Sequence, residues 1–181
     1  MAFRVLLDTN VLFGAYLCDT VLRLAEAELF RPLWSAGVLD ELSRNLILRG
    51  LRPDQVDRRV GQMRRAFPDA MVEDYEPLVA AMTCDPKDRH VRAAAVRANA
   101  EILVTFTLGD FPEASRAPYD IAVHPDDFLL DQVVLYPALT VAAIHAQALP
   151  MHSQSVMLRD VLDQLAKSGV PRFAERARRH L

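Results

Sequence analysis

Short apolar runs alternate with longer stretches of helical periodicity along the first two thirds of the chain. Four of these runs are candidate strands: residues 3–7, 31–34, 101–105 and 121–123. Their apolar residues are mostly continuous, which is typical of strands buried on both faces of a parallel sheet. The stretches between them repeat apolar residues at helical spacing. The pattern therefore predicts an α/β fold in which helices cover a central, mainly parallel sheet.

Capping residues predict where several helices begin and end. Asp19 and Thr20 are placed to cap the helix after the first strand, and Ser35 to cap the helix after the second. Gly50 is a candidate left-handed helix end, and Pro53 opens an arginine-rich helix. Together these signals predict that strands and helices alternate through the N-terminal half.

The last quarter of the chain has a different pattern. Pro125 opens a predicted helix, and the sheet-containing part of the chain is predicted to end with this helix. Residues 1–135 are therefore predicted to form one domain. Residues 136–181 carry helical stripes and no strand pattern, which predicts a helical extension whose last helix begins at Pro171. The short segment 71–74 is interpreted as part of a surface region.

Acidic residues stand where strand-like runs end or the following helices begin. These are Asp8, Glu41, Asp88 and Asp110. An open α/β sheet binds its ligands beyond the carboxyl ends of its strands, so side chains far apart in the sequence can meet there. Oxygen ligands of this kind suit a hard divalent cation. The sequence therefore predicts a carboxylate-lined cation site at that edge of the sheet.

Most of these acids, and the polar residues Asn10 and Thr105 near them in the sequence, also have a purely structural interpretation. Asp8 and Asn10 can form a turn, and Glu41 can lie on the solvated face of its helix. Thr105 can cap its strand, and Asp110 can shape the loop that follows. The order in which these residues follow successive strand-like runs favours the functional interpretation over these local ones.

Asp85 and Asp88 compete for the same role. Asp85 directly precedes Pro86, which is the position of a helix-capping residue before a proline at the first helical position. Asp88 stands farther inside, where its side chain can point toward the strand ends. We therefore assign capping to Asp85, in a supporting role, and ligation to Asp88.

Composition narrows the functional classes. The chain has 181 residues and 51% hydrophobic content, which is enough to bury a compact core. Its net charge of -3 excludes a globally basic nucleic-acid binder but permits a basic face beside an acidic pocket. No apolar run approaches the length of about 18 residues that a membrane span requires, and no signal-peptide pattern is present. We expect a cytoplasmic protein without membrane contact.

The cysteines and histidines do not predict a metal site. Cys18 and Cys84 lie far apart and outside any CxxC or Cys/His cluster, so both are expected to be buried and unpaired. The histidines lack a metal-binding spacing such as HExxH.

Four segments, in this order, resemble the PIN-domain ribonucleases, which include the VapC-type toxins of bacterial toxin–antitoxin pairs. The segments are residues 6–12 (LLDTNVL), 38–42 (VLDEL), 85–91 (DPKDRHV) and 103–112 (LVTFTLGDFP). The resemblance extends over roughly residues 3–130, and the combination is much more specific than any one segment. It implies a PIN-like three-layer α/β/α sandwich, followed here by the C-terminal helical extension.

The resemblance also implies roles for individual residues. One or two Mg²⁺ or Mn²⁺ ions are held in the family by acids that correspond to Asp8, Glu41, Asp88 and Asp110. Asn10 and Thr105 match polar residues that support the pocket. This chain departs from the family pattern at two positions. Thr107 stands where similar sequences often have asparagine, and Gly109 where they commonly have a basic residue, so a secondary polar contact of the family is not expected to be the same here.

The implied activity is Mg²⁺-dependent endonucleolytic cleavage of RNA. In that implied reaction a metal-bound water would attack the phosphorus in line while the metal would stabilise the developing charge. Crowded carboxylates raise one another's pKa, so activity is expected to fall in acid. Resemblance to toxins further implies an antitoxin partner that covers the acidic cleft or its rim, and a homodimer.

Two other functional classes remain as alternatives. An aspartate-dependent phosphatase also begins with a strand ending in aspartate, but it carries a second aspartate where this chain has Asn10. A catalytically inactive PIN-like module would bind RNA or protein without cutting, and the presence of all four acids argues against it.

The residues that contact RNA are left open by the sequence. Of the 21 basic residues, 19 are arginines, and one cluster follows Glu41 closely: Arg44, Arg49, Arg52, Arg58, Arg59, Arg64 and Arg65. Guanidinium groups suit phosphate, but each of these arginines can equally occupy an ordinary solvated helix face. A second cluster on the last helix has the same two interpretations: Arg172, Arg176, Arg178 and Arg179.

Overall fold

The sheet is built from parallel strands and is centred on the first of them. The computed structural model describes residues 3–110, 122–149 and 158–180. Within these residues the strands are β1 (Arg4–Leu7), β2 (Arg31–Ser35), β3 (Met71–Val72), β4 (Ile102–Val104) and β5 (Ala122–Val123). Their order across the sheet is β3-β2-β1-β4-β5, and every neighbouring pair is parallel. The predicted α/β class is confirmed.

The strand order reverses between β1 and β4. The chain leaves β1 toward β2 and β3 on one side, then returns to place β4 and β5 on the other. Leu7 pairs with Val104, and the amide of Asp8 donates to the Val104 carbonyl at 3.1 Å. The residues that follow β1 and β4 therefore begin side by side, at the crevice where open α/β sheets bind ligands.

Helices cover the sheet in two packing groups. In the described residues they are α1 (Thr9–Phe13), α2 (Ala15–Glu26), α3 (Ala36–Leu48), α4 (Pro53–Ala66), α5 (Glu76–Val79), α6 (Arg89–Arg97), α7 (Pro125–Leu135), α8 (Pro137–Ala148), α9 (Leu158–Lys167) and α10 (Pro171–Arg178). Helix α3 packs with α1, α4 and α6, whereas α2 packs with α8 and α9. Helix α10 packs with α7 and α9. The predicted arrangement, a sheet covered by helices and followed by a C-terminal helical extension, is therefore present.

The central strands are buried on both faces, as their continuous apolar sequence predicts. Val5, Leu6 and Leu7 are fully buried, and so are Leu103 and Val104. Each such side chain contributes about 1.5–3 kcal/mol when it leaves water. This burial sets the position of the polar residues that follow each strand.

The helix after β1 begins earlier than the sequence predicts. Two helices follow β1 in the structure. Asp8 caps α1, and Gly14, which has an extended conformation, is the N-cap of α2. Thr20 therefore lies inside α2, where its buried hydroxyl donates to Gln147 Oε1 at 2.6 Å. Asp19 instead pairs with Arg23 one helical turn later. The prediction that Asp19 and Thr20 cap this helix is wrong.

Segment 71–74 contains a strand that the sequence pattern did not predict. Met71 and Val72 form β3 and pair with Trp34 and Ser35 of β2. A two-residue strand is too short to carry a periodic signal, and it exists because the edge of β2 offers it backbone partners. The surface interpretation is therefore incomplete.

Other local predictions are confirmed. Ser35 accepts the Val38 amide as the cap of α3, and Gly50 adopts a φ of 97° after that helix. Pro53 opens α4 and Pro171 opens α10. Ile121, assigned to the last strand, lies outside the described residues.

The extension contributes to the hydrophobic core. The side chains that α9 and α10 bury are Val161, Leu162, Leu165, Phe173, Ala174 and Ala177. The buried carboxylate of Asp126, at the start of α7, accepts the backbone amides of Arg172 and Phe173 at 3.2 and 2.8 Å. Helix α10 is therefore tied to α7 at its first turn. The division of the chain at residue 135 stays a prediction.

Among the described residues, no single helix is both long enough and apolar enough to cross a membrane. Helices α7 and α8 meet that test only when they are taken together, and they are bent by 116° relative to each other. Cys18 and Cys84 are buried and form no disulfide, as predicted.

Candidate active site

An open cleft of about 400 Å³ lies beyond the carboxyl ends of the central strands. Asp8, Glu41 and Asp88 line it, so the fold brings together three of the predicted acids. Thr9, Asn10, Asn45 and Thr107 contribute further polar groups. The structure describes Asp110 in the helical turn Leu108–Asp110 but not its side chain, so its place in the cleft stays a prediction.

Asp8 is the most constrained acid of the cleft. It is only 4% exposed, and its carboxylate accepts the Thr9 amide at 2.6 Å, the Asn10 side-chain amide at 2.8 Å and the Thr105 hydroxyl at 2.6 Å. Burial raises the pKa of Asp8 above its ordinary value, while the bonds from Thr105 and Thr9 oppose this shift. The charge of Glu41 adds a smaller upward contribution. The upward direction is as predicted, but burial, and not crowding of carboxylates, is its main cause.

Asn10 and Thr105 hold Asp8 in place. The Asn10 side-chain amide also donates to Thr105 Oγ1 at 3.2 Å, and its carbonyl oxygen accepts the Phe106 amide at 3.2 Å. Thr105 is fully buried, and its oxygen also accepts the Thr107 amide. Asn10 therefore joins α1 to the loop after β4, which a local turn residue would not do. Thr107 takes part in the same network, with its hydroxyl 3.0 Å from that of Thr105.

Glu41 enters the cleft from α3 and has partners on two other elements. Thr9 Oγ1 donates to Glu41 Oε2 at 3.1 Å. Nε2 of His90, from α6, lies 3.6 Å from the same oxygen. Sequence reasoning missed His90 because the histidines lack a metal-binding spacing. The sequence feature that could have identified His90 is its position two residues after Asp88 in the segment DPKDRHV.

The His90 ring lies tightly against the start of α3. A Cβ atom on Gly37 would stand 2.9 Å from His90 Cδ2 and 3.0 Å from the Tyr75 hydroxyl oxygen. That hydroxyl accepts the Gly37 amide at 3.3 Å. Glycine at position 37 thus permits the close approach of His90 to α3 and to Glu41.

The two aspartates around Pro86 have different environments. Asp85 is exposed, and its carboxylate accepts the Lys87 amide at 3.1 Å, which confirms its prediction as a cap. Asp88 is half-buried and lines the cleft. This difference supports the choice of Asp88 as the candidate ligand.

The donor set fits a hydrated divalent cation. In the part of the chain that the structure describes, no three His, Cys, Asp or Glu side chains converge as a ready-made ligand set. Mg²⁺ commonly takes one or two protein carboxylates directly and keeps several waters, so it does not require such a set. Asp8 and Glu41 are linked through Thr9, and both line the cleft with Asp88. These oxygens suit direct or water-mediated contacts to a hard cation.

Comparisons with known proteins identify the family of this chain. A family model described as "PIN domain" matches residues 4–107, more than half of the chain. The chain belongs to the PIN-domain family. A second family model, described as "VapC50 C-terminal domain", matches residues 125–179, which span α7 to α10 of this PIN-domain protein. The resemblance drawn from the four segments is confirmed.

One relative of this PIN-domain protein carries a functional name. It is "Putative ribonuclease VapC50" from Mycobacterium tuberculosis (strain ATCC 25618 / H37Rv), which is 47% identical over 106 residues. The match covers 58% of this chain and 62% of the relative, so this chain matches less than two thirds of that protein's length. No solved structure matches the chain significantly.

Proposed function

We propose that this protein is a divalent-cation-dependent endoribonuclease and the toxin of a toxin–antitoxin pair. The observation that carries the proposal is that Asp8, Glu41 and Asp88 line one cleft beyond the central strands. Membership of the PIN-domain family and the similarity to a relative named as a ribonuclease support it. We propose Mg²⁺ or Mn²⁺ as the cation and Asp110 as a further ligand.

The cleft residues have complementary roles in this reaction. When bound, the cation supplies an activated water at neutral pH and neutralises charge on the phosphate. Asn10 and Thr105 hold the Asp8 carboxylate in one orientation by hydrogen bonds. Thr9 does the same for Glu41. Preorganised ligands lower the cost of arranging the site at the moment of reaction.

Electrostatics explains why the cleft needs a cation to accept RNA. Carboxylates at the cleft surface repel a phosphodiester, and this repulsion is stronger where a residue such as Asp8 is removed from water. A divalent cation reverses the sign of that field. Arg49 and Lys87 at the rim add positive charge beside the acids.

Cleavage of RNA with and without Mg²⁺ tests the proposal. Asp8→Asn is expected to lower the cleavage rate about 100-fold or more, because it removes a buried ligand that nearby donors hold in place. Asp88→Asn is expected to have a similar effect. Asp85→Asn is the matched control, since Asp85 is an exposed cap outside the cleft lining. Magnesium-independent cleavage, or equal activity in Asp8→Asn and Asp85→Asn, would refute the assignment.

The partner proposals follow from the toxin assignment. We propose that an antitoxin covers the cleft or its rim and that the protein forms a homodimer. Removal of residues 136–181 is not a suitable test of either idea, because α9 and α10 bury core side chains. The mass of the intact protein in solution, with and without its partner, tests both. The expected cytoplasmic location stays a prediction.

The phosphatase alternative loses support from the surroundings of Asp8. A nucleophilic aspartate needs an oxygen that is open to an incoming phosphoryl group. One oxygen of Asp8 accepts two side-chain donors, the other accepts a backbone amide, and the residue is 4% exposed. Trapping a phosphoenzyme would reverse this conclusion.

A further inference from the structure

Helix α3 carries a line of polar residues away from the acidic centre. Glu41, Asn45 and Arg49 are four residues apart, and all three line the cleft. Because an α-helix rises about 1.5 Å per residue, each step of four moves about 6 Å along the axis. The backbone position of Arg49 therefore lies about 12 Å along the axis from that of Glu41, the candidate metal ligand.

Helix α1 forms a second line in the same direction. It begins at Asp8, which caps it, and ends at Phe13, which also lines the cleft. Helices α1 and α3 pack against each other. At the acidic end Thr9 bonds to Glu41, and at the far end the Arg49 guanidinium lies 5.8 Å from the centroid of the Phe13 ring. The cleft thus has an acidic end and an end built from one arginine and one phenylalanine.

Phe13 is held in position while its ring remains half-exposed. The Arg59 side chain donates to the backbone carbonyls of Leu12 and Phe13 at 2.6 and 3.2 Å, which fixes the end of α1. Gly14 follows, and a Cβ atom there would meet nothing within 4 Å. The space around that Cβ position, on the residue next to Phe13, is therefore open.

Arg49 is exposed and only loosely engaged with Phe13. A cation–π contact requires a distance of at most about 6 Å, so the observed 5.8 Å is near the limit. Gly50, with a φ of 97°, turns the chain away directly after Arg49. A cation–π contact is weak at an exposed site, so the guanidinium can leave the ring for a phosphate at little energetic cost.

We propose that Phe13 and Arg49 form a nucleotide subsite next to the scissile phosphate. Arg49 binds a backbone phosphate through its planar fork, and one base stacks on the exposed part of the Phe13 ring. This inference rests on the proposed ribonuclease function and names residues that position the substrate. The reaction chemistry stays with the acids at the other end of the cleft.

Binding and cleavage of a short single-stranded RNA by the full-length protein in Mg²⁺ test the subsite. Arg49→Gln is expected to raise KM and Kd about 10-fold or more, with little change in kcat. It is also expected to reduce the slope of log affinity against log salt by about 1, because one phosphate contact is lost. Arg58→Gln is the matched control, since Arg58 is an exposed arginine of α4 outside the cleft lining.

The stacking part of the proposal has its own signature. Phe13→Leu is expected to weaken binding about 5- to 100-fold without changing the salt slope, and Phe13→Trp to restore it. A set of RNAs, each with one abasic nucleotide, locates the stacked base. One abasic position is expected to weaken binding to the wild-type protein and to have no effect in Phe13→Leu.

The outcomes separate the subsite from the ribonuclease assignment. If wild type cuts RNA while Arg49→Gln and Arg58→Gln have the same KM and salt slope, the subsite is refuted and the nuclease assignment stands. A response to abasic positions that is uniform in wild type refutes the stacking role, even if Phe13→Leu fails to fold. If wild type neither binds nor cuts RNA, both proposals fail.

Discussion

The carboxylate of Asp8 accepts three hydrogen bonds, yet its pKa lies above the ordinary value because burial outweighs those bonds. A buried carboxylate that must ionise to work needs a compensating charge. Neither a turn residue nor an ordinary helix cap requires this degree of burial. The surroundings of Asp8 therefore favour a cation-binding role over a purely structural one.

This pKa shift has a consequence for stability. The folded state holds the Asp8 proton more tightly than the unfolded chain, whose aspartate pKa is about 3.9. As the pH rises from below that value through the raised folded pKa, this group makes the metal-free protein less stable, and the penalty persists at neutral pH. A divalent cation binds the ionised carboxylate and offsets the penalty.

We therefore expect Mg²⁺ to raise the melting temperature more at pH 7 than near pH 4, because the raised pKa of Asp8 leaves a larger share of this carboxyl protonated in acid. Thermal unfolding with and without MgCl₂ across this range measures the effect. Asp8→Asn is expected to lose most of the Mg²⁺ increment, and Asp85→Asn to keep it. An increment that does not depend on pH would contradict the prediction.

At the scale of elements, the close approach of α6 to α3 depends on a glycine, Gly37, at the point of contact. Gly37 is the second residue of α3, and a methyl group on it would lie 2.9 Å from the His90 ring. Contacts this short force neighbouring groups to move. Because His90 lies 3.6 Å from Glu41, displacement of the ring would reach the acidic centre.

Gly37→Ala is expected to destabilise the protein by about 1–3 kcal/mol and to lower RNA cleavage as well. Gly14→Ala is the matched control, because a Cβ atom at Gly14 meets nothing within 4 Å and its φ of −69° is ordinary for alanine. Urea unfolding of both variants measures the difference. Equal free energies of unfolding would show that the His90 ring adapts without cost.

At the scale of the whole molecule, buried polar groups tie the C-terminal helices to the sheet-containing part of the chain. Thr20 of α2 bonds to Gln147 of α8, and both residues are buried. Asp126 of α7 caps α10 by accepting two of its first backbone amides. Three arginines in and directly after α10 pair with nearby acids: Arg172 with Asp127, Arg178 with Asp163 and Arg179 with Glu175. These pairs favour an ordinary surface role for that cluster over RNA binding.

Asp126→Ala is expected to lower the free energy of unfolding by about 1–3 kcal/mol, since it leaves two backbone amides without their acceptor. The neighbouring Asp127→Ala removes only an exposed ion pair with Arg172, so its cost is expected to be at most about 1 kcal/mol. Urea unfolding distinguishes the two. Similar values for both variants would mean that Asp126 does not anchor α10.

The sequence predicted the parts of this protein that depend on neighbours along the chain. The apolar runs identified four of the strands, Ser35 and Asp85 were recognised as caps, and Asp8, Glu41 and Asp88 were chosen from their places after strands or in the first turns of helices. These features are local, because each arises from the preferences of a few consecutive residues.

Only the tertiary structure decided the contacts between distant segments. Strand β3 exists because β2 offers it an edge to pair with. Helix α10 is capped by the carboxylate of Asp126, which lies 46 and 47 residues before the two amides that it accepts. His90 reaches Glu41 because Gly37 lacks a side chain. The meeting of Phe13 with Arg49 likewise requires that α1 and α3 run side by side. Periodicity and capping carry no information about such pairs, since their energies depend on the packing of whole elements.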